Sequence, residues 1–135
     1  MIRAIVCAAS IFLAAGTSAT AAECPVEGVE AIENALKSAD TCAAAVKVFK
    51  ACGYGSTVDV QFGGIVIEKC EAAFLPGLRG SQRASYARGQ KACGRKYAGR
   101  SGTMYRSATA FCFAELAGNY ARRFGKERAP AGARK

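Results

Sequence analysis

Three glutamates near the start of the polar part of the chain could perform acid–base chemistry. Glu27, Glu30 and Glu33 recur every three residues. Two carboxylates in different environments can act as a general acid and a general base. The chain has no histidine to serve as a partner, and no apolar pocket around these glutamates is evident from the sequence. We therefore interpret them as a solvated acidic face, and a catalytic carboxylate pair remains the sharper alternative.

A leader precedes these residues. Met1–Arg3 is short and basic, residues 4–15 are apolar, and Ala19–Thr20–Ala21 is an Ala-x-Ala cleavage motif. This is the pattern of a signal peptide, which we assign to residues 1–21. A membrane anchor is the alternative, but the strongly apolar part is short for a hydrocarbon core of ~30 Å. We predict an exported protein, periplasmic or secreted, with no transmembrane segment in the mature chain.

The cysteine count supports export. Cleavage after Ala21 removes Cys7 and leaves six of the seven cysteines. An even number in a small exported chain indicates disulfides rather than free thiols. A zinc site would need four thiolates from widely spaced loops, because there is no histidine and no C-x-x-C pair. We therefore expect no metal and no cofactor.

Apolar spacing predicts helices in the first half of the mature chain. The apolar residues from Val26 to Leu36 recur at spacings of three, three and four, which is one helical face. A second helix should begin at Asp40 or Thr41 and end before Gly53, which could adopt the left-handed conformation.

The segment from Val58 to Leu75 is ambiguous. Its first residues alternate like a strand, but Phe62, Val66, Cys70 and Phe74 recur every four residues. We choose a helix, capped by Ser56 or Thr57, with Gly63–Gly64 as a candidate kink.

Two more helices complete the predicted fold. One runs from Leu78 to the Gly99–Gly102 break, and the other runs from Thr103 to Phe124. The predicted core face of the last helix comprises Met104, Ala108, Phe111, Cys112, Leu116, Tyr120 and Phe124. The fold class is therefore an all-α, disulfide-stapled bundle of about five helices built from antiparallel hairpins, over residues 22–124. Residues 125–135 are predicted to be a flexible basic tail.

The turns predict the disulfide pattern. If antiparallel helices meet near residues 39, 55 and 102, the cysteines fall opposite one another in three pairs. The predicted pairs are Cys24–Cys52, Cys42–Cys70 and Cys93–Cys112. A Cys42–Cys52 bond would have to bridge ~15 Å along one continuous helix, beyond the reach of a disulfide.

Charge is divided between the two halves of the mature chain. Residues 22–75 carry eight acidic residues and four lysines, a net charge of −4, whereas residues 76–135 carry fourteen basic residues and two glutamates, a net charge of +12. Arg88, Lys91 and Arg95 form either a solvated face or a docking surface for anionic groups. The tyrosines among these cations could stack on nucleic acid, but we do not expect that partner in an exported protein.

One stretch resembles a known family. Arg83, Cys93, the run Tyr97–Ala–Gly99–Arg–Ser101–Gly–Thr103–Met104, Cys112 and Leu116 resemble the carboxyl part of LprI-like lysozyme-inhibitor domains. The resemblance covers residues 83–124, and Ser85 stands where the family usually has tryptophan. It implies a small, exported, disulfide-bonded helical domain, and lysozyme inhibition is known for a few family members.

These patterns favour a binding protein over an enzyme. The sequence has no histidine and no phosphate-binding glycine motif after a strand, and all mature cysteines can be paired. We therefore expect a non-enzymatic envelope or secreted protein that binds a lysozyme or another envelope protein. The alternatives are a basic protein that binds anionic envelope polymer or lipid headgroups, and a structural envelope protein.

Overall fold

A computed structural model describes residues 22–125, and this part of the chain is all-α, as predicted. Its five helices are α1 (Val29–Ser38), α2 (Cys42–Cys52), α3 (Val58–Phe74), α4 (Gly80–Lys96) and α5 (Thr103–Phe124). A 3-10 turn, Leu75–Gly77, joins α3 to the segment before α4. The predicted signal peptide and the predicted tail beyond Gly125 lie outside the described residues.

The first helix is shorter than its apolar spacing predicts. Gly28 has a φ of 87°, which glycine adopts readily, and α1 begins at the next residue. Val26 and Glu27 therefore precede the helix instead of belonging to it. The start of α2 agrees with the prediction, because the Thr41 hydroxyl accepts a hydrogen bond from the Ala44 backbone N–H at 3.1 Å.

The connection between α2 and α3 is organised differently from the prediction. Gly53 is extended, with a φ of −66°, so the predicted left-handed conformation is wrong at this position and occurs instead at Gly55. Neither Ser56 nor Thr57 caps α3 with its side chain. The buried Asp59 carboxylate instead accepts hydrogen bonds from the Tyr54 and Ser56 backbone N–H groups, at 2.9 and 3.2 Å.

Residues 58–74 form one helix, so the strand alternative is wrong. This helix continues through Gly63 and Gly64. A Cβ added at Gly63 would lie 3.1 Å from the Ala110 Cβ and 3.3 Å from the Ala110 carbonyl oxygen. The absence of a side chain at Gly63 therefore allows α3 to pack closely against α5.

Helix α5 is the central element of the bundle and packs against α2, α3 and α4. Contacts Gly63–Ala110 and Phe74–Tyr120 follow the same order along both helices, so α3 and α5 run in the same direction. The helices α2 and α4 run opposite to α5, as the predicted hairpin at residues 99–102 requires for α4.

The buried face of α5 consists of small residues. Ser107, Ala110, Ala114, Ala117 and Ala121 are buried. Met104, which the apolar pattern assigned to the core, is 62% exposed, so that assignment is wrong. The other large apolar residues of α5 are partly buried at the edges of this face. The alanines allow three helices to approach α5 closely, so larger side chains lie beside the contacts rather than between them.

All three predicted disulfides are present: Cys24–Cys52, Cys42–Cys70 and Cys93–Cys112, with Cα–Cα distances of 4.8, 4.6 and 5.6 Å. Each one links two antiparallel segments across the turn that predicted it.

Candidate functional site

The predicted basic residues form one exposed face of α4. Arg88, Lys91 and Arg95 fall within roughly 60° around the helix axis, and we call them the basic face. All three are exposed, whereas Tyr86 and Cys93 on the opposite side are buried. The ion pairs found among residues 22–125 are Lys37–Glu33 and Lys50–Glu115, so no acidic side chain of this range neutralises the basic face.

Two polar contacts fix the rotation of α4 against α3. The Tyr86 hydroxyl donates to the Glu71 carboxylate at 2.8 Å, and the Gln90 amide donates to the same oxygen at 3.3 Å. Burial, and then the hydrogen bond to Glu71, raise the pKa of Tyr86 well above its usual value, so it remains a neutral donor. These contacts turn the basic face towards solvent.

The surrounding chain adds to this positive charge. Between Arg79 and Gly125 there are ten basic residues and one acidic residue. That acid, Glu115, pairs with Lys50 of α2 at 2.7 Å. A region with this imbalance generates a positive potential that attracts anionic partners.

The acidic candidates have different environments. Glu27 and Glu30 are exposed, as expected for a solvated face. Glu33 pairs with Lys37 and accepts a hydrogen bond from Gln61 of α3 at 2.8 Å. Glu33 therefore helps to join α1 to α3, a role that the sequence pattern did not indicate.

A groove of about 650 Å³ lies between α3 and the α4–α5 turn. Val60, Gly63, Gly64 and Ile67 of α3 form one side, and residues at the end of α4 and the start of α5 form the other. Gly64 and Gly94 have no side chains, which leaves space between the helices.

The two ends of the groove differ in chemistry. The end at Ile67 is apolar, with Gly94 of α4 and Phe113 of α5 also lining it. The other end opens at the α4–α5 turn, where Tyr97 and Tyr105 have ring centroids 5.8 Å apart. The Arg100 guanidinium lies 5.7 Å from the centre of the Tyr105 ring. Arg106 also lines the groove.

Residues of the stretch that resembles the LprI-like family line one side of this groove. Tyr97, Ser101 and Thr103 line it, and the Cys93–Cys112 disulfide holds the two helices that carry them. Sequence reasoning missed the groove because its α3 side comes from Val60, Gly63 and Gly64, more than thirty residues earlier in the chain. The glycine pair was a usable indication, since each glycine inside a helical pattern costs about 1 kcal/mol relative to alanine and so points to a packing or functional reason.

Comparison with known proteins gives no family assignment, because no family model, curated protein or solved structure matches the chain. Within residues 22–125, no helix is long and apolar enough to cross a membrane. The same residues include no cluster of three or more cysteine or acidic side chains arranged to hold a metal ion.

Proposed function

We propose that this is an exported, non-enzymatic binding protein that docks anionic envelope polymer or lipid headgroups on its basic face. The observation that carries the proposal is the exposure of Arg88, Lys91 and Arg95 on one side of α4, without an acidic partner in the described part of the chain. Exposed cations usually interact with solvent alone. Three cations aligned on one helix, within a segment that carries ten basic residues, also form a surface that attracts a polyanion.

The proposed attraction is long-ranged and depends on salt. The Debye length falls from about 10 Å at 0.1 M salt to about 3 Å at 1 M, so binding through exposed cations should weaken strongly over that range. Binding through apolar contacts would not weaken in this way.

The test is binding to heparin and to vesicles containing anionic lipid, at low and high salt. The triple change Arg88→Ala, Lys91→Ala, Arg95→Ala should weaken binding at low salt by about tenfold or more. The charge-preserving triple change Arg88→Lys, Lys91→Arg, Arg95→Lys is the first control and should bind like the natural chain.

A single-site comparison provides the second control. Lys91 and Lys47 are both exposed lysines, on α4 and α2 respectively. Lys91→Ala should weaken binding, and Lys47→Ala should have little effect even though it lowers the net charge equally. Equal effects would indicate a response to net charge rather than a surface on α4. No binding at low salt would remove the proposal.

Lysozyme inhibition is the second candidate, and it rests on the resemblance of residues 83–124 to LprI-like lysozyme-inhibitor domains. Animal-type lysozymes are generally basic, so a basic protein would approach one with its acidic residues foremost. Reversal of the exposed glutamates, Glu27→Lys and Glu30→Lys, should therefore weaken inhibition, while the triple alanine change on α4 should preserve it. Glu33 is left unchanged because it joins α1 to α3.

The assay is lysozyme activity on cell walls over a range of protein-to-enzyme ratios. An absence of inhibition at every ratio would reduce the family-like stretch to a resemblance in sequence and fold.

A further inference from the structure

The groove is a separate surface from the basic face and has its own polarity. One end, lined by Ile67 of α3, Gly94 of α4 and Phe113 of α5, is apolar. The other end carries Arg100 and Arg106, and none of the described residues that line the groove is acidic. An apolar end and a cationic end match a ligand that has one of each kind of group.

The apolar end of the groove provides few hydrogen-bonding groups for a peptide. The sides formed by α3, α4 and α5 are helices, whose backbone groups are mostly bonded within each helix. The Thr109 hydroxyl, which could have served a ligand, donates to the Tyr105 carbonyl oxygen at 2.8 Å. A peptide bound at the apolar end would lose hydrogen bonds to water without replacing them, whereas a hydrocarbon chain has none to lose.

We infer that the groove binds a single-chain amphiphile with a carboxylate head, such as a medium-chain fatty acid. The hydrocarbon chain lies towards Ile67 and Phe113, and the carboxylate lies at the open end beside Arg106 and Arg100. The distance along α5 from Arg106 to Phe113 is roughly 10 Å, which suits a chain of about eight to ten carbons. The volume of about 650 Å³ is within the range of small-molecule sites.

Arginine is suited to the proposed head group. A guanidinium can donate two parallel hydrogen bonds to a carboxylate, which makes the pair stronger than a contact with a neutral oxygen. The cation–π contact of Arg100 with the Tyr105 ring holds this guanidinium at the mouth of the groove. The site is therefore partly organised before a ligand arrives.

The direct test is titration of the purified exported chain with decanoate, followed by calorimetry and by the NMR signal of a ¹³C-labelled carboxyl carbon. Intact mass would first establish the amino terminus of the protein used. We expect saturable binding of decanoate, binding of uncharged decanol that is about tenfold weaker, and no binding of acetate.

Filling the groove should abolish binding without unfolding the protein. A Cβ at Gly64 meets no atom of residues 22–125 within 4 Å, and Gly64 is helical and lines the groove, so Gly64→Leu would place its side chain in the proposed ligand site. The matched control is Gly80→Leu, at a helical glycine that is also open at Cβ but lies outside the groove. Circular dichroism and thermal unfolding would check that both variants fold.

Removal of the head-group cation should weaken binding without abolishing it. Arg106→Gln should weaken decanoate binding by about tenfold and leave decanol binding unchanged, since only the charged ligand uses the guanidinium. Arg122→Gln, at an exposed arginine near the other end of α5, is the control and should bind decanoate normally.

Three results would each overturn the proposal. The first is an absence of saturable decanoate binding, and the second is decanoate binding by a folded Gly64→Leu variant that equals that of the natural chain. The third is a dimer in analytical ultracentrifugation that Gly64→Leu disrupts, because a second copy of the chain would then occupy the groove. The basic face plays no part in these results, so the proposed polymer binding is tested separately.

Discussion

The amino-terminal part of the domain, residues 22–74, and the hairpin α4–α5 are built in different ways. The amino-terminal part contains two of the three disulfides and every large apolar side chain that is fully buried: Phe49, Phe62, Phe74, Ile32, Leu36 and Val66. The hairpin instead contributes a row of small residues from α5, and from α4 the buried residues Tyr86 and Cys93.

This difference indicates that the amino-terminal part supplies most of the stability and the hairpin carries most of the positive charge. Repulsion between like charges opposes compaction, so a dense set of cations is best tolerated on a helix that the core needs least. Helix α4 packs mainly on α5 and is held there by one disulfide. We therefore expect the amino-terminal part to determine global stability and α4 to open more readily than the rest.

Removal of a disulfide should show the largest difference in stability between the two regions. The change Cys42→Ala, Cys70→Ala should lower the free energy of unfolding of the whole domain by about 3 kcal/mol. The change Cys93→Ala, Cys112→Ala should mainly speed amide hydrogen exchange in α4, with a smaller change in global unfolding. Urea denaturation combined with hydrogen exchange measures both quantities. The comparison would fail if the two double variants lowered global stability equally and left exchange in α4 unchanged.

The buried carboxylate at the start of α3 should give the next largest effect. Asp59 is fully buried and accepts hydrogen bonds from two backbone N–H groups and from the Ser107 hydroxyl, the last at 2.6 Å. Asp59→Ala leaves all three donors without this acceptor and should cost about 3 kcal/mol of unfolding free energy. Ser107→Ala removes one donor and should cost about 1 kcal/mol. Equal losses in chemical denaturation would contradict this account.

Alanine substitutions at two glycines test how tightly α5 packs against α3 and against α4. A Cβ at Gly63 would press on the Cβ and backbone of Ala110, which cannot move away, so Gly63→Ala should destabilise the domain by about 1 to 2 kcal/mol. A Cβ at Gly89 of α4 would meet the flexible end of Leu116, at 2.9 Å. That side chain can turn aside, and helix propensity favours alanine by about 1 kcal/mol, so Gly89→Ala should be neutral or stabilising. Thermal unfolding of both variants decides whether the two contacts differ.

The smallest expected effect comes from the hydrogen bond that joins Tyr86 of α4 to Glu71 of α3. Tyr86→Phe removes the hydroxyl that donates to Glu71 and should cost about 1 kcal/mol near neutral pH. The pKa of Tyr86 is raised in the folded state, so the unfolded chain releases this proton first, and the stabilisation is lost as the pH rises above about 10. The Tyr86→Phe variant should therefore lose less stability than the natural chain between about pH 9 and pH 11 in urea denaturation. Parallel losses would show that Tyr86 does not cause the alkaline dependence.

The fold was predictable where local rules determine it. Apolar spacing and glycine-rich breaks gave the helices, and the turn positions gave all three cysteine pairs, because a hairpin fixes which residues face each other. The predicted core face of α5 was wrong at Met104, because three helices pack around α5 and close approach favours alanine over larger side chains. Counting apolar residues on one helix cannot reveal how many neighbours that helix has.

The candidate sites were predictable to different degrees. The basic face was found from the sequence because its three residues lie on one helix at spacings of three and four, which place them on the same side. The groove was not found, since it needs Gly64 of α3 beside Arg106 of α5, and α3 and α5 are not consecutive helices. The role of Asp59 was missed for a similar reason, because its partner Ser107 is 48 residues away.

The most direct test of the proposed binding surface is amide hydrogen exchange of the natural chain with and without heparin at low salt. We expect slower exchange along α4, strongest around Arg88, Lys91 and Arg95, no change in α1 and α2, and loss of the protection at high salt. Protection of α1 or α2, or an unchanged α4 under conditions where heparin binds, would show that the basic face is not the binding surface.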